Sequence, residues 1–359
     1  MHIAIDASRT TVAQVTGTEH YARQMIRHIL GQPRAHDYTL YFRDAPPDAL
    51  FPRAEHATFN VIPFPRAWTH LRLAAETLRE RPDILWTPAH ALPFVFPGRA
   101  AVTVHDLGYR YFPQAHPPAQ RRYLDLTTRA SAARASVILA DSRATADDLM
   151  RFYGTPARKI RIVYPGVDAP PVGDADAARR KYGLPERYFL FIGTLQPRKN
   201  IARLVAAYQR WRAAQTDDPP ALVLAGGKGW LFDPAWVADA DGVVLSGYID
   251  AADKGAVLAG ALALVFPSLY EGFGFPVLEA MTCGTPVICS STSSLPELAG
   301  DAALLVDPLS EVAIAAAMRQ IASDEALRSD LIARGLAQAR QFSWEAAAAA
   351  ALDALESAV

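Results

Sequence analysis

The chain has 359 residues, of which 51% are hydrophobic and 20% are charged, enough core material for two domains of ordinary size. A membrane-spanning helix is not expected, because no run of about 18 uninterrupted apolar residues occurs. The N-terminus lacks the basic-then-apolar layout of a signal peptide, so we expect a cytoplasmic protein. Residues 1–170 contain 21 Lys and Arg against 15 Asp and Glu, and the remainder contains 15 against 22. This asymmetry indicates either ordinary surface variation or a basic first half suited to an anionic acceptor or membrane surface.

Short β-rich runs alternate along the chain with longer amphipathic segments, which predicts parallel sheets covered by helices. In the first half, the predicted strands are 2–6, 38–42, 59–62, 83–86, 100–104, 136–140 and 160–164. The predicted helices between them are 18–30, 69–80, 118–134 and 143–152. In the second half, the predicted strands are 188–193, 221–226, 242–247, 262–266, 285–289 and 302–306. Because these runs are apolar at nearly every position, both faces of each sheet should be buried.

A segment rich in Pro, Gly and Asp, residues 164–180, reads as a linker between two domains. We therefore predict a doubly wound α/β protein with domains at 1–168 and 169–341. Residues 342–359 should form a C-terminal helix that is capped by Ser343 and packs back on the first domain. The apolar stripe of this helix consists of Trp344, Ala348, Leu352 and Leu355.

The segment "SLYEGFGFPVLEAMTCGTPVICS" contains a buried strand end, a glycine-rich turn and a helix. Pro276 suits the first position of that helix. Glu279 is then expected in the first helical turn and Glu271 at the strand end. Backbone N–H groups at the positive end of such a helix suit a phosphate or sugar hydroxyls. Spacing alone leaves two alternatives equally open: two solvated carboxylates that flank a bend, or two groups that grip a ligand.

Two further loops follow predicted strands of the second half. "FIGTLQPRKN" places Arg198 and Lys199 at a helix start, an arrangement that suits an anion. "LVLAGGKGW" surrounds Lys228 with glycines but lacks the spacing of a nucleotide-hydrolase phosphate loop. Three such loops in one predicted domain indicate an anionic ligand more strongly than any one loop does, although a solvated basic pair is the alternative for Arg198 and Lys199.

The first half offers weaker signals. Gly17 and Thr18 begin a predicted helix and could bind an anion. His105 follows a buried strand and could orient a hydroxyl or move a proton, or it could be a structural histidine. A segment with Trp68, Leu71 and Arg72 predicts contact with an anionic membrane surface.

Together these motifs resemble glycosyltransferase family 4, a large retaining group with the GT-B fold. "EGFGFPVLE" matches the Glu-x7-Glu motif of that family, and the likeness extends to "GTLQPRKN", "LAGGKGW", "HDLGYRYFP" and the glycine at Thr16-Gly17-Thr18. It spans nearly the whole chain. "HDL" followed by "YFP" is similar to the branch of bacterial O-antigen and exopolysaccharide mannosyltransferases. The resemblance implies two Rossmann-like domains that face a cleft, the first binding an acceptor and the second a nucleotide-sugar donor.

The resemblance also implies residue roles. Glu279 would hold the ribose hydroxyls, and Glu271 the donor sugar. Arg198 and Lys199 would neutralise the diphosphate, and His105 would approach the reaction centre. Phe273, Gly274 and Phe275 would donate backbone N–H groups. The remaining implied donor-site positions are Gly17, Thr18, Gly193, Thr194, Gly226, Gly227, Lys228, Gly272 and Val277. Some members have an arginine where this chain has Thr194, which leaves Arg198 and Lys199 to supply the positive charge.

The implied reaction transfers a hexose, with mannose favoured, from a nucleoside-diphosphate sugar such as GDP-mannose to a saccharide or polyprenyl-linked glycolipid. Fixed cations at the leaving diphosphate would stabilise the transition state. No Asp-x-Asp motif stands out as a metal site, so we expect a metal-independent enzyme that uses no cofactor besides its donor, retains configuration by front-face attack, and does not bind nucleic acid. The alternatives are a sugar-nucleotide 2-epimerase of the same fold and a non-catalytic sugar-nucleotide binder.

Overall fold

The computed structural model describes residues 1–12, 15–52, 54–89, 91–216, 218–229 and 231–359. The chain forms two compact units. Unit 1 combines Met1–Gly166 with Phe342–Val359, and unit 2 is Val167–Gln341. Each unit contains one sheet whose strand pairs are all parallel in the described residues. The predicted α/β fold class is therefore confirmed.

The sheet of unit 1 has seven strands within the described ranges. They are β1 (His2–Asp6), β2 (Asp37–Phe42), β3 (Ala57–Val61), β4 (Ile84–Thr87), β5 (Arg99–Val104), β6 (Val137–Ala140) and β7 (Ile160–Ile162). Their order across the sheet is β3-β2-β1-β4-β5-β6-β7. The helices of the first segment are α1 (Gly17–Leu30), α2 (Ala74–Glu80), α3 (Gly108–Tyr111), α4 (Pro118–Arg134) and α5 (Arg143–Tyr153). A wide helical turn over Thr69–Leu73 runs directly into α2.

The sheet of unit 2 has six strands, again counting only what the structure describes. They are β8 (Tyr188–Ile192), β9 (Ala221–Ala225), β10 (Val243–Gly247), β11 (Ala263–Phe266), β12 (Val287–Ser290) and β13 (Leu304–Val306). Their order is β10-β9-β8-β11-β12-β13. The helices are α6 (Ala175–Tyr182), α7 (Ile201–Arg212), α8 (Lys254–Ala259), α9 (Phe275–Thr282), α10 (Leu295–Ala299), α11 (Glu311–Ser323) and α12 (Glu325–Ala339).

The apolar runs of the sequence explain where each strand of unit 2 lies in its sheet. Every residue of the inner strands β8, β11 and β12 is buried, as a sheet covered on both faces requires. The edge strands β10 and β13 each include exposed residues. The predicted strands agree with the observed ones to within two residues at either end. Parallel strands end together, so the loops after β8, β9, β10 and β11 share one edge of this sheet.

The last helix, α13 (Trp344–Glu356), belongs to unit 1 and packs against α1. Ser343 caps it as predicted, because the Ala346 N–H donates to Ser343 Oγ at 3.1 Å. The predicted stripe of Trp344, Ala348, Leu352 and Leu355 is buried. None of the helices that the structure describes is long and apolar enough to cross a bilayer.

Candidate functional site

Backbone hydrogen bonds tie the loops that follow β8 and β9 to the ends of the neighbouring strands. The Gly193 N–H donates to Ala225 O at 2.9 Å, and the Gly226 N–H donates to Gly247 O at 2.7 Å. Each bond joins the first residue after one strand to the last residue of the next strand in the sheet. The structure thus brings the predicted positions Gly193, Gly226 and Gly227 together at the carboxyl edge, where ligands bind in open α/β sheets.

The glycines of the β9 loop differ in what surrounds them. Gly226 has a φ of +139°, and a Cβ there would lie 2.0 Å from Gly193 O, so the contact between the loops requires glycine at this position. A Cβ on Gly227 would meet nothing within 4 Å. Gly227 and the neighbouring Lys228 are exposed. Gly227 therefore borders open space that a ligand could fill, whereas Trp230, at the end of the motif, lies outside the described residues.

A buried ion pair joins the loops after β8 and β11. The Nζ of Lys199 lies 2.5 Å from Glu271 Oε1, and both side chains are at most 11% exposed. The same Nζ lies 4.9 Å from the ring centroid of Phe266, the last residue of β11. β8 and β11 are neighbours in the sheet, which is why two residues 72 positions apart in sequence meet here. The sequence had suggested that Glu271 lies at the strand end. In the structure it lies in the loop after β11.

The charges around Glu271 keep it ionised. Burial raises the pKa of the Glu271 carboxyl, but the positive charges of Lys199 and Arg198 outweigh burial and hold this pKa below its ordinary value. The backbone fixes these cations, since the Leu269 N–H donates to Arg198 O at 2.9 Å. Thr194, at the other end of the loop after β8 that carries Arg198 and Lys199, is exposed. Two cations and one carboxylate thus share the carboxyl edge of β8 and β11.

The Glu271 turn is held by a serine loop that sequence reasoning missed. The Glu271 N–H donates to Ser293 Oγ at 3.0 Å, and the Ser294 hydroxyl donates to Glu271 O at 3.0 Å and to Phe273 O. Both serines follow β12, the next strand along the sheet. The signal was available, since four of the five residues directly after Cys289 are serines. These bonds fix the backbone that presents Glu271.

Helix α9 begins one residue earlier than predicted, which corrects the placement of Glu279. Gly274, with a φ of +124°, is the N-cap, so Phe275 is the first helical residue and Pro276 the second. Glu279 is then the fifth residue and lies in the second turn, not the first. Gly272, Phe273 and Val277 are buried around this helix start, and the rings of Phe273 and Phe275 lie 5.0 Å apart.

Glu279 has a cationic partner that the sequence did not suggest. The Nζ of Lys254, the first residue of α8, lies 2.5 Å from Glu279 Oε2. The side chains are 28% and 16% exposed, so this pair is less buried than Lys199 and Glu271. Glu279 is thus held in place by Lys254 instead of lying free, and Glu271 and Glu279 each have a separate lysine partner.

In unit 1, His105 is held through both ring nitrogens. Its Nδ1 lies 2.6 Å from Asp141 Oδ2, and its Nε2 lies 2.9 Å from Pro88 O. The pairing follows from strand register: Val104 lies opposite Ala140 in the β5–β6 ladder, so the next residue of each strand reaches the same level. Asp141 was not selected from the sequence, although an acidic residue directly after a buried strand is a signal of the same kind as His105.

The surroundings of His105 favour its protonated form. A carboxylate and a carbonyl oxygen only accept, so both ring nitrogens donate. Burial lowers the pKa of His105, but the charges of Asp141 and Asp106 outweigh burial and raise this pKa above its ordinary value. An imidazolium with both N–H groups engaged can orient a group by its charge, but it has no lone pair with which to accept a proton.

Gly17 and Thr18 are the first residues of α1, as predicted. The helix start is already occupied by a carboxylate of the chain, since the Thr16 N–H donates to Glu19 Oε2 at 3.0 Å in a capping box. Burial raises the pKa of Glu19, but hydrogen bonds from Thr16 and the charge of Arg9 outweigh burial and lower it. A negative ligand at Gly17 would therefore meet a like charge.

Comparison with known proteins agrees with the motifs. Residues 15–169 match the family model "Glycosyltransferase Family 4", and residues 174–338 match "Glycosyl transferases group 1". The chain is 37% identical over 289 residues to O-antigen chain mannosyltransferase B of Escherichia coli, which covers 77% of this chain and 75% of the relative. The chain belongs to glycosyltransferase family 4.

A second relative and a solved structure are less similar to this glycosyltransferase in sequence. O-antigen chain mannosyltransferase RfbU of Salmonella typhimurium is 27% identical over 258 residues, which covers 71% of this chain and 68% of the relative. Sucrose-phosphate synthase from Thermosynechococcus elongatus superposes with a TM-score of 0.76 at 23% identity, covering 99% of this chain and 98% of that one. This structural match shows that the glycosyltransferase has the GT-B fold.

Two Asp-x-Asp sequences of this glycosyltransferase have structural partners. Asp174 caps α6, because its Oδ1 accepts from the Asp176 and Ala177 N–H groups at 2.9 and 3.0 Å. Asp241 pairs with Arg212 at 2.8 Å and precedes β10, so it lies at the amino end of the sheet. Neither of these two Asp-x-Asp sequences lies on the loops that carry Lys199 and Glu271.

Proposed function

We propose that the chain is a retaining mannosyltransferase that transfers mannose from GDP-mannose to a hydroxyl of a saccharide or polyprenyl-linked glycolipid. The two relatives described above are named O-antigen chain mannosyltransferases, which supports mannose as the sugar. The observation that carries the proposal is the buried Lys199–Glu271 pair beside Arg198, at the edge of the sheet where a nucleotide ligand would lie.

The proposed donor contacts follow from charge and position. A donor diphosphate at this edge would meet the cations of Arg198 and Lys199, while Glu271 accepts hydrogen bonds from hydroxyls of the sugar. Glu279, held by Lys254, is suited to accept from the two ribose hydroxyls. Open space beside Gly227 supports a position for the phosphates against the β9 loop.

In the proposed reaction, the bond between the sugar C1 and the diphosphate oxygen breaks, and the oxygen keeps the electron pair. The acceptor hydroxyl oxygen bonds to C1 on the same face, and its proton passes to a diphosphate oxygen. Fixed cations at the leaving group favour the transition state more than the ground state. The engaged ring nitrogens of His105 support assigning the proton to the diphosphate and an orienting role to the imidazolium. We propose that Arg198 and Lys199 provide the positive charge without a divalent cation.

The test is a panel of nucleoside-diphosphate sugars with and without saccharide acceptors, followed by release of the nucleoside diphosphate. We expect acceptor-dependent release from GDP-mannose that resists chelation of divalent metals, and a product whose anomeric proton shows the configuration of the donor. Lys199→Met should abolish release, whereas the matched control Lys181→Met, a surface lysine of unit 2, should not. Inert donors, or a donor that is only epimerised, would overturn the transferase proposal.

A further inference from the structure

Asp141 is a buried carboxylate of unit 1 to which neither the sequence motifs nor the proposed reaction gives a role. It follows β6 directly, and its Oδ2 lies 2.6 Å from His105 Nδ1. The side chains of His105 and Asp141 are 11% and 4% exposed. The second carboxylate oxygen, Asp141 Oδ1, is buried and has no hydrogen-bond partner among the residues that the structure describes. Within those residues, His105 is therefore the group that this carboxylate binds.

The position of a carbonyl oxygen makes the charge of the His105 ring necessary. Pro88 follows β4 directly, and its O lies 2.9 Å from His105 Nε2. A neutral imidazole has a single N–H, so one of its nitrogens would point a lone pair at either Pro88 O or the Asp141 carboxylate. Only the imidazolium donates to both oxygens. Asp141 and Pro88 together thus fix the orientation of the ring and its number of protons.

The other groups that pack around His105 do not replace Asp141. Tyr21 of α1 meets the ring at a centroid distance of 4.8 Å and an angle of 78°, and burial raises the pKa of its hydroxyl, which stays uncharged. Thr145 of α5 donates to His105 O at 3.1 Å and so holds the backbone, not the ring. Asp106, the next residue of the chain, also raises the pKa of His105, but less than Asp141 does.

We propose that Asp141 is a positioning residue for the transfer reaction, which holds His105 as an imidazolium whose Nε2–H exchanges Pro88 O for a hydroxyl oxygen of the donor sugar. This inference rests on the proposed function, in which His105 orients a group by its charge. A hydrogen bond from a charged donor is about twice as strong as one from a neutral donor. The negative charge of Asp141 also compensates that of the ring, so the pair adds little positive charge against the one that develops on the sugar.

The first test separates the charge of Asp141 from its shape by means of Asp141→Asn. Asparagine has a similar size, but its amide can donate to His105 Nδ1 as well as accept from it. A neutral ring can then keep its Nε2–H. NMR titration of isotope-labelled histidine follows the ring without any substrate, and His105→Gln assigns its resonance. We expect the midpoint of the His105 titration in Asp141→Asn to move to lower pH by about one pH unit.

The second test measures kcat for acceptor-dependent release of GDP from GDP-mannose as a function of pH. The kcat of the wild type should fall as the pH rises through the raised pKa of His105. In Asp141→Asn this fall should begin at lower pH, with a kcat up to about tenfold below the wild type at pH values above the midpoint of the variant. The two values of kcat should converge as the pH is lowered. Adding Asp141→Asn to His105→Gln should lower kcat no further, because Asp141 acts through the ring.

The matched control is Asp148→Asn. Asp148 is a buried aspartate of α5 in the same unit, and it accepts a hydrogen bond from the Tyr111 hydroxyl instead of from a histidine. This variant should leave both the His105 titration and the pH profile of kcat unchanged. Circular dichroism checks that each variant is folded.

The outcomes distinguish this inference from the proposed function. An unchanged His105 midpoint in Asp141→Asn would refute the role of Asp141 even where transfer from GDP-mannose is observed. A kcat that falls by the same factor at every pH, or that falls further when Asp141→Asn is added to His105→Gln, would show that Asp141 only supports the fold. A wild type that is inert with every donor would overturn the transferase proposal, and with it the role of the pair in transfer.

Discussion

Replacing Lys199 with methionine should destabilise unit 2 strongly as well as abolish transfer. Methionine fills a similar volume, so packing near Phe266 is largely kept while the charge is lost. Glu271 then remains buried with its Lys199 partner gone. Both side chains are at most 11% exposed, which places the pair in the class where losing one partner leaves a poorly compensated buried charge.

The expected loss in the free energy of unfolding is about 3–5 kcal/mol. For a domain of this size, a loss of about 3 kcal/mol lowers the midpoint temperature by roughly 6–12 °C. The double variant Lys199→Met with Glu271→Leu should recover most of the loss, because no unpaired charge of the pair remains. Lys181→Met is the matched control: Lys181 pairs with Asp250 and Asp253, but its side chain is 51% exposed, so its replacement should change the free energy of unfolding far less than that of Lys199.

The assay is urea unfolding of the wild type, both single variants and the double variant, from pH 3 to 8. The pKa of Glu271 is lowered in the folded chain. Its contribution to the free energy of unfolding is therefore complete above the ordinary pKa of 4.5 and is lost as the pH falls through the lower folded-state pKa. The difference in the free energy of unfolding between the wild type and Lys199→Met should therefore become smaller at the lowest pH values of the series. If Lys199→Met unfolds within about 0.5 kcal/mol of wild type at neutral pH, the description of a desolvated pair is wrong.

Three further predictions concern the remaining site residues. Lys254→Ala should raise the Kd for GDP about tenfold in calorimetry, because Glu279 loses the cation that holds it. Gly227→Ala should leave the free energy of unfolding unchanged yet weaken GDP binding by filling open space, whereas Gly226→Ala should unfold much more easily because its Cβ would overlap a neighbouring carbonyl. In urea unfolding, the loss in the free energy of unfolding caused by His105→Gln should be largest below pH 6.5. It should become progressively smaller as the pH rises through the raised folded-state pKa.

Each of these predictions has a result that would contradict it. Unchanged GDP affinity in the Lys254 variant would mean that the ion pair does not position the nucleotide site. Equal stability of the Gly226 and Gly227 variants would contradict the close approach of the two loops. A stability difference for the His105 variant that grows with rising pH would show that the folded-state pKa is lowered, not raised.

The strands could be read from the sequence because each is a short apolar run between polar turns. The contacts of the site could not, because they depend on the order of the strands. His105 meets Asp141 only because β5 lies beside β6 in matching register, and no spacing in the sequence encodes that. Lys254 reaches Glu279 for a similar reason, since α8 packs near α9. The β8, β9 and β11 loops could be selected as candidates from the sequence because glycine and basic residues mark them locally.

Trp68 shows why the face of a helix is hard to predict. The turn over Thr69–Leu73 is wider than an α-helical turn, so the period of 3.6 residues does not hold there. Residues that an ideal helix would place on one face are therefore divided between core and surface. Trp68 lies in the core, whereas Leu71 lies on the surface.

The chain order of unit 1 has a consequence for synthesis. Unit 2 is one continuous stretch, but unit 1 is completed by α13, whose buried face includes Trp344 and Leu352. On the ribosome, the sheet of unit 1 therefore emerges early and must wait, with the site for α13 uncovered, until the whole of unit 2 has been translated. The growing chain thus exposes an apolar surface for the longest time in unit 1, where a chaperone would be needed most.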